Sequence, residues 1–568
     1  MFRRSSAITQ PNLFSNFMQN MEAGRQKKFD NPNSWHNLFR EFITIKVDEK
    51  RFSCLFSEDM GRPNASIRML VGMMILKEGF GWSDERLFEA TEFDMLVMSS
   101  LGMSNMSDEA PCGATYYNFK KSLYQYQLET GVDLIGDMFV SLTKSHAQLF
   151  GVHGKFTRMD SKLIGSNICK SSRLQLIISV LQVFYKDIKD NASLRHRLKE
   201  EYYEILSSLL KQKSGQIIYS LDNEQREEML EKLGYVLLGL QRVFTEKDSN
   251  KYHLIIRILS EQYSIEGERV VLRDVKQINS DSLQSPYDED ASYRKKGDQK
   301  VSGFSVNITE TCNDDTLNLI TDVKVEKSNY SDNNFLQGSV ERSQNIVGEI
   351  ENVNADGAYH SADNQDYAGQ NDTKLILSNM QGRKGKYEFE INEQTNQLQV
   401  INTQSGEIYQ AIEYKQGKYK INENGKQTYF TIETYTSFLQ RKQIENFSKE
   451  ETNRRNNVEA TVFQLSFFSR KNKTRYRGKI KHQLWAYNRA LWINLIRIQK
   501  WGGILCPVHS ETEEMNGILV EYLRKMTVLS NKITFFLEKI KIAFDRLNFF
   551  QNFKYFGFCL KKFMIVKN

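Results

Sequence analysis

The sequence predicts a mixed α/β protein carrying two insertions, on three observations. Apolar residues recur with helical spacing up to about residue 150, and again from about Ser171 to Val270. The period falls to two near residue 300. The elements after that run hairpin, helix, strand, which is the order of a mixed sheet and not of a helical bundle. In the first region Ile67, Leu70, Val71, Met74 and Ile75 lie at i, i+3, i+4, i+7 and i+8. Gly79 is expected to close that helix and Ser83 to cap the next. Thr115 is expected to open "GATYYNFKKSLYQYQ". Its tyrosines, Phe119 and Lys120-Lys121 suit either an amphipathic helix with a wet basic face or a surface resting on phosphates.

The stretch "KFTRMDSKLIG", Lys155 to Gly165, reads as a strand. Alternation places Arg158, Asp160 and Lys162 on one face and Thr157, Met159, Ser161 and Leu163 on the other. Either that face meets solvent with ordinary charges, or Asp160 holds a metal ion together with other acids. The helical stretch that follows has one stripe of Leu174, Ile177, Ile178, Leu181, Tyr185 and Ile188, and another of Leu230, Leu233, Leu237 and Leu240. These are core stripes of a helical insertion, over 172–270, that packs on itself or on a second subunit.

"KVSGFSVNITETC" and "TLNLITDVKVEKS" then form a hairpin about the turn "CNDD". A helix over "DNNFLQGSVERSQNIVGEI" leads to a short strand ending in "NADGAYHS". Residues 373 to 435 are β-rich, with short alternating runs between Asn, Gly and Gln turns. A helix over "SKEETNRRNNVEATVFQLSFF" follows and leads into "RKNKTRYRGKIKHQLWAYNRALWINLIRIQKW".

Lysine and arginine number 77 against 70 acids, a net charge of +7 that permits a nucleic-acid partner without requiring one. The six cysteines form no C-x-x-C pair, which argues against a zinc cluster or disulfide scaffold and suits a reducing cytosol. "CPVH", Cys506 to His509, has no partner pair and reads as a thiol beside an imidazole. The start is basic and polar without a secretory leader's apolar run, and no segment has the apolar length of a membrane span. The aromatic tail is broken by lysines and reads as a packed amphipathic end, and residues from Glu511 onward have no assignable role. The expected location is cytoplasmic.

Three acids stand out by position: Asp160 in its strand, Asp356 where a strand meets a Gly-containing turn, and Glu459 four residues beyond Arg455. Separately they read as a surface charge, a turn dipeptide and a helical ion pair. Together they have a chemical logic, because converging carboxylates repel unless a divalent cation neutralises them. Two Mg²⁺ (or Mn²⁺) ions about 3.5–4 Å apart on such a set can clamp the attacking and leaving oxygens of a phosphodiester.

The pieces "RMDSKLIGSNI", "SPYDEDASYRKKGDQKVSGFSVNITETCNDDTLNLITDV", "NADGAYHS" and "RRNNVEATVFQL", in this order, resemble bacterial insertion-sequence transposases of the DDE type, in the IS-four/IS-five group. The resemblance runs from "GRPNASIRMLVGMMILKEG" to "RIQKW". It implies an RNase H-like mixed-sheet core over 151–171 and 271–372, a β-rich insertion over 373–440, and core helices with the Glu and a basic run over 441–510. A helical tail over 511–568 and a helical N-terminal region over 1–150 that reads terminal inverted repeats complete the division. It implies Asp160, Asp356 and Glu459 as catalytic and metal-holding residues, double-stranded DNA at element ends and target as partner, and a homodimer on DNA. The group's pattern around the Glu is Tyr-x₂-Arg-x₃-Glu-x₆-Lys; here Thr452 stands for the Tyr and Ser466 for the Lys. Arg470, Lys471 and Lys473 are the nearby cations that can replace that Lys. The alternatives to strand cutting and joining are a decayed copy that binds DNA as a repressor and a metal nuclease that hydrolyses DNA without joining it.

From Ala460 to Ser510 there is no acid, and ten Lys/Arg lie between Arg470 and Lys500. Arg455, Arg470, Lys471, Lys473, Arg475, Arg477, Lys479 and Lys481 are therefore expected at DNA, with Arg294, Lys295 and Lys296 adding contacts or standing in a charged loop. Tyr476, Trp485, Tyr487 and Trp492 either stack on an exposed base or belong to the core.

Overall fold

The computed structural model describes residues 2–4, 21–57, 63–105, 108–379, 385–392 and 397–501. The "CPVH" stretch and the aromatic tail lie outside the described residues, as does most of the opening segment. The centre is a six-stranded mixed sheet of β1 (Gly154–Gly165), β2 (Ser292–Lys296), β3 (Gln299–Thr311), β4 (Ile320–Lys327), β5 (Ile350–Ala355) and β6 (Lys374–Leu377). β3 runs antiparallel to β1, β2 and β4, while β5 runs parallel to both β1 and β6. The hairpin expected near residue 300 is β3–β4.

β6 was expected within the β-rich insertion, yet it forms an edge of the central sheet. Its run Leu375-Ile376-Leu377 is buried, and the helix Ala362–Gln370 between β5 and β6 supplies the crossover that parallel neighbours need. The insertion proper comprises two three-stranded antiparallel sheets over 387–431, around Phe389, Val400, Ile421 and Phe430. The other insertion is helical from Arg173 to Gln262 and ends in a small hairpin, Tyr263–Glu266 with Arg269–Leu272. It has its own core, in which the stripe from Leu174 to Ile188 meets Leu233, Leu237 and Leu240.

Six helices matter for the site: α1 (Ile67–Phe80), α2 (Gly113–Thr130), α3 (Leu134–Leu149), α4 (Leu336–Val347), α5 (Val458–Ser466) and α6 (Lys479–Trp501). The α1 stripe is buried as expected, in one continuous core with α6 and with Phe304, Ile308 and Val323 of the sheet. Gly79 does not close α1. It is buried against Trp492, where a Cβ would meet the indole at 2.4 Å, and Gly81 caps the helix instead at φ +68°. Ser83 caps the next helix as expected, its hydroxyl accepting from the Arg86 N–H. α2 starts two residues before Thr115, with Cys112 as its N-cap.

The helix expected over 448–468 is broken. Lys449–Asn453 forms one short helix, capped by Ser448 and Glu451 reciprocally, and α5 begins only at Val458. The interruption falls on "RRNN", where two successive asparagines lower helix propensity and Asn457 becomes the N-cap of α5. The turn turns Arg454 and Arg455 toward the sheet, where both find their partners.

A candidate carboxylate site at the ends of two parallel strands

The parallel register of β1 and β5 sets Arg158 opposite Asn354. Two residues further on, Asp160 and the residue just past β5, Asp356, therefore come abreast. Asp356 caps the turn Gly357–Tyr359, its Oδ1 accepting from the Gly357 N–H at 2.6 Å. The backbone passes so close to Asn379 that a Cβ on Gly357 would lie 2.1 Å from the Asn379 carbonyl oxygen. Glycine is required there, and it fixes where the Asp356 side chain starts.

Arg455 gathers the acids. Its Nη2 lies 3.6 Å from Asp160 Oδ2, 3.6 Å from Asp356 Oδ2 and 4.0 Å from Glu459 Oε1. Three carboxylates from β1, the β5 turn and α5 thus converge on one guanidinium, across 299 residues of chain. Asp160 is 16% exposed and Glu459 69%, so the cluster opens to solvent on the Glu459 side. The Arg455 Nε is buried without a hydrogen-bond partner. Burial pushes the Asp160 carboxyl up from 3.8 to about 6, against the pull of Arg455 and of the Ser161 N–H, and Asp356 adds to the rise.

The whole charged face of β1 is committed to one segment. Arg158 Nη1 donates to the Arg454 carbonyl, Asp160 faces Arg455, and Lys162 Nζ donates to Ser466 Oγ at 2.6 Å. Arg158 Nε also binds the fully buried Glu310 at 2.6 Å. Arg497 Nη2 and Thr461 Oγ1 hold the other Glu310 oxygen at 2.6 and 2.7 Å. Burial alone would raise the Glu310 pKa, but Arg497 and Arg158 keep it below the ordinary glutamate range. Glu310 thereby ties β1, α5 and α6 together beneath the cluster.

The positions where the pattern Tyr-x₂-Arg-x₃-Glu-x₆-Lys is not met have partners of their own. The Thr452 hydroxyl donates to the carbonyls of Ser448 and Lys449. Ser466 receives Lys162, so an ammonium stands beside the position of the missing Lys, supplied by β1. The sequence signal for this was present in the alternation of charge around Asp160.

Several basic candidates act as internal braces. Arg294 binds Asp332 and the Tyr330 carbonyl, Lys473 the Ile168 carbonyl, Arg475 the carbonyls of Gly81 and Trp82, and Arg477 the Asn167 carbonyl. Lys479 pairs with Glu326, and Lys481 lies over the Tyr124 ring. Lys295, Lys296, Arg470 and Lys471 are exposed, and the structure shows no ion pair for any of them among the described residues. Trp485 and Trp492 are core residues. Tyr476 and Tyr487 pack against the same core, with the Tyr476 hydroxyl on Glu78. The exposed aromatics near the cluster are Phe463, Phe467 and Phe468, which the sequence reading passed over in "VFQLSFF".

Among the described residues, no three His, Cys, Asp or Glu side chains stand ready around a single vacant point as a metal cage. Arg455 occupies the point on which Asp160, Asp356 and Glu459 converge. The donor set itself is all oxygen and anionic, which is the chemistry hard divalent cations take. No described helix is long and apolar enough to cross a membrane.

No curated protein and no solved structure matches the chain. Residues 26–122 match a family model described as "Transposase domain (DUF772)". The matched segment holds α1 and the start of α2, the helices that share a core with α6, and it supports a transposase.

Proposed function

We propose that this chain is a DDE-type DNA transposase that cuts and joins phosphodiester bonds at the ends of an insertion sequence. The observation that carries this is the convergence of Asp160, Asp356 and Glu459 on Arg455. The strand order β4-β3-β1-β5-β6, with the first three antiparallel and the last two parallel to β1, supports an RNase H-like core. The transposase-domain match over residues 26–122 supports the same reading from a different part of the chain.

Asp160, Asp356 and Glu459 would hold two Mg²⁺ or Mn²⁺ ions, which supply a charge clamp for the attacking and leaving oxygens of an in-line displacement. The chain's own part is positional. Asp160 and Asp356 are fixed by their strand and turn, and each already spends one oxygen on a backbone N–H, at Ser161 and Gly357. Glu459 is the exposed member and faces incoming DNA. Arg455 balances the acids in the free protein and has to swing aside, toward phosphate, when the centre is taken. Asp160 loses its proton near pH 6, so the site is charged at neutral pH and progressively discharged below it.

The test is cleavage and joining of DNA carrying the element's terminal repeats, with Mg²⁺ or Mn²⁺. Wild type is expected to nick and join, and Asp160→Asn or Asp356→Asn to bind the ends but leave them intact. Binding without nicking by wild type, with Asp160→Asn indistinguishable from it, would make the chain a DNA-binding repressor. The substitutions at Thr452 and Ser466 favour that second reading. Nicked but never joined products would make it a nuclease.

A further inference from the structure

We infer that the solvent face of α5 and the residues just after it is a binding site for an unpaired DNA strand, with Phe463 and Phe467 as base-stacking rings and Lys162 as a phosphate contact. This rests on the nucleic-acid reading above and adds the form of DNA that the site takes. Glu459, Phe463 and Phe467 are spaced by four, so they form one stripe along the helix, and they are 69%, 59% and 60% exposed. The rings of Phe463 and Phe467 lie 5.6 Å apart, and Phe468 stands 5.1 Å from Phe467. Phe468 is already engaged, with Arg489 over its ring and Gly81 packed against it, whereas Phe463 and Phe467 keep their exposed surface. Exposed aromatics clustered in contact with one another are the kind of apolar patch that serves as a contact surface.

The charges around the stripe select the occupant. Lys162 Nζ rests on Ser466 Oγ, and no carboxylate pairs with it among the described residues. Arg470 and Lys471 follow the aromatics directly and are exposed. No acid lies between Glu459 and Ser510. Cations beside flat apolar rings match a polymer of phosphates and bases, and a base offers its π-face only when it is unpaired. The stripe begins at the carboxylate cluster itself, so a strand lying along α5 leads its backbone to Glu459. A second copy of this chain would be a poor match, because it would set Lys162, Arg470 and Lys471 against like charges.

The experiment is fluorescence anisotropy on the full chain with fluorescein-labelled dT20 and with a labelled 20-base-pair duplex, at fixed salt. Phe463→Leu/Phe467→Leu keeps apolar bulk and removes the π-faces, and is expected to weaken dT20 binding about ten-fold or more. Phe463→Tyr/Phe467→Tyr is expected to stay within about two-fold of wild type. Duplex binding should change by less than about two-fold in both. Lys162→Ala should lower the salt slope of dT20 binding by roughly 0.7. All three positions are at the surface or its edge, and an unchanged circular dichroism melt checks the fold. The inference is overturned if wild type does not bind dT20, or if the Leu pair binds it like wild type. It is also overturned if sedimentation shows a DNA-free dimer that Phe463→Ala/Phe467→Ala dissociates while dT20 affinity is kept. Loss of dT20 affinity in the Leu pair, with Asp160→Asn cleaving normally, would keep the strand site and sink the catalytic reading. The reverse pattern would do the opposite.

Discussion

Replacing Asp160 by Asn should stabilise the ion-free protein at neutral pH while abolishing its chemistry. Burial raises this carboxyl from 3.8 to about 6, Asp356 adds to the rise, and Arg455 offsets only part of it. Each tenfold change in proton affinity corresponds to about 1.4 kcal/mol, so holding Asp160 ionised in the fold costs about 3 kcal/mol. The sign follows from linkage. Below the unfolded value the acid is protonated in both states and the cost is absent. It grows as pH rises from about 4 to about 6 and is constant above that. Asparagine is neutral throughout, and its amide oxygen still accepts from the Ser161 N–H. The stability advantage of Asp160→Asn over wild type should therefore be near zero at pH 4, rise through pH 5 and level off above pH 6. Thermal and urea unfolding of both proteins in EDTA between pH 4 and 8 measures it. Added Mn²⁺ should shrink the gap by stabilising wild type alone. A difference that is flat with pH, or a wild type more stable than the variant at pH 8, would refute the idea that the site stores unfavourable charge.

Three further substitutions test the parts that build the site. Arg455→Ala should strengthen Tb³⁺ binding, read by luminescence, because guanidinium and cation compete for the same three carboxylates; weaker binding would mean that Arg455 assists the ion. Glu310→Ala strands Arg158 and Arg497 beneath the cluster and should cost about 3–5 kcal/mol in urea unfolding, while a loss under about 1 kcal/mol would show that the buried pairs do not hold α5 in place. Gly357→Ala pushes a methyl group into the Asn379 carbonyl and should displace Asp356, lowering cleavage at least ten-fold with a melting temperature that falls by only a few degrees; full activity would show that the turn yields.

The sequence announced most of this architecture through periodicity. The α1 stripe, the β3–β4 hairpin and the strand ending at Asp356 all follow from local patterns that packing did not override. β6 was assigned to the wrong sheet because a four-residue apolar strand looks the same in either, and only the preceding crossover helix decides its partner. The break before α5 was written in "RRNN", but its purpose depended on contacts with Arg158 and Asp160, some 300 residues away. Charge density misled for the opposite reason. Arg475, Arg489 and Arg497 look like a phosphate-binding run, yet each spends its guanidinium on internal carbonyls or on Glu310, which no one-dimensional pattern reveals. The aromatics of this stretch divided the same way, with Trp485 and Trp492 in the core and Phe463, Phe467 and Phe468 at the surface.

Because β1 grips both the turn at Arg454 and the end of α5 at Ser466, Glu459 owes its position to these clasps and to Glu310, and little to the insertion sheets over 387–431. These sheets carry their own core, and the length of the connections that join them to the rest costs little: doubling a flexible loop costs only about 0.6 kcal/mol. A chain built this way can exchange the insertion sheets between β6 and the helix at Lys449, and with them whatever they touch, without moving the carboxylate cluster.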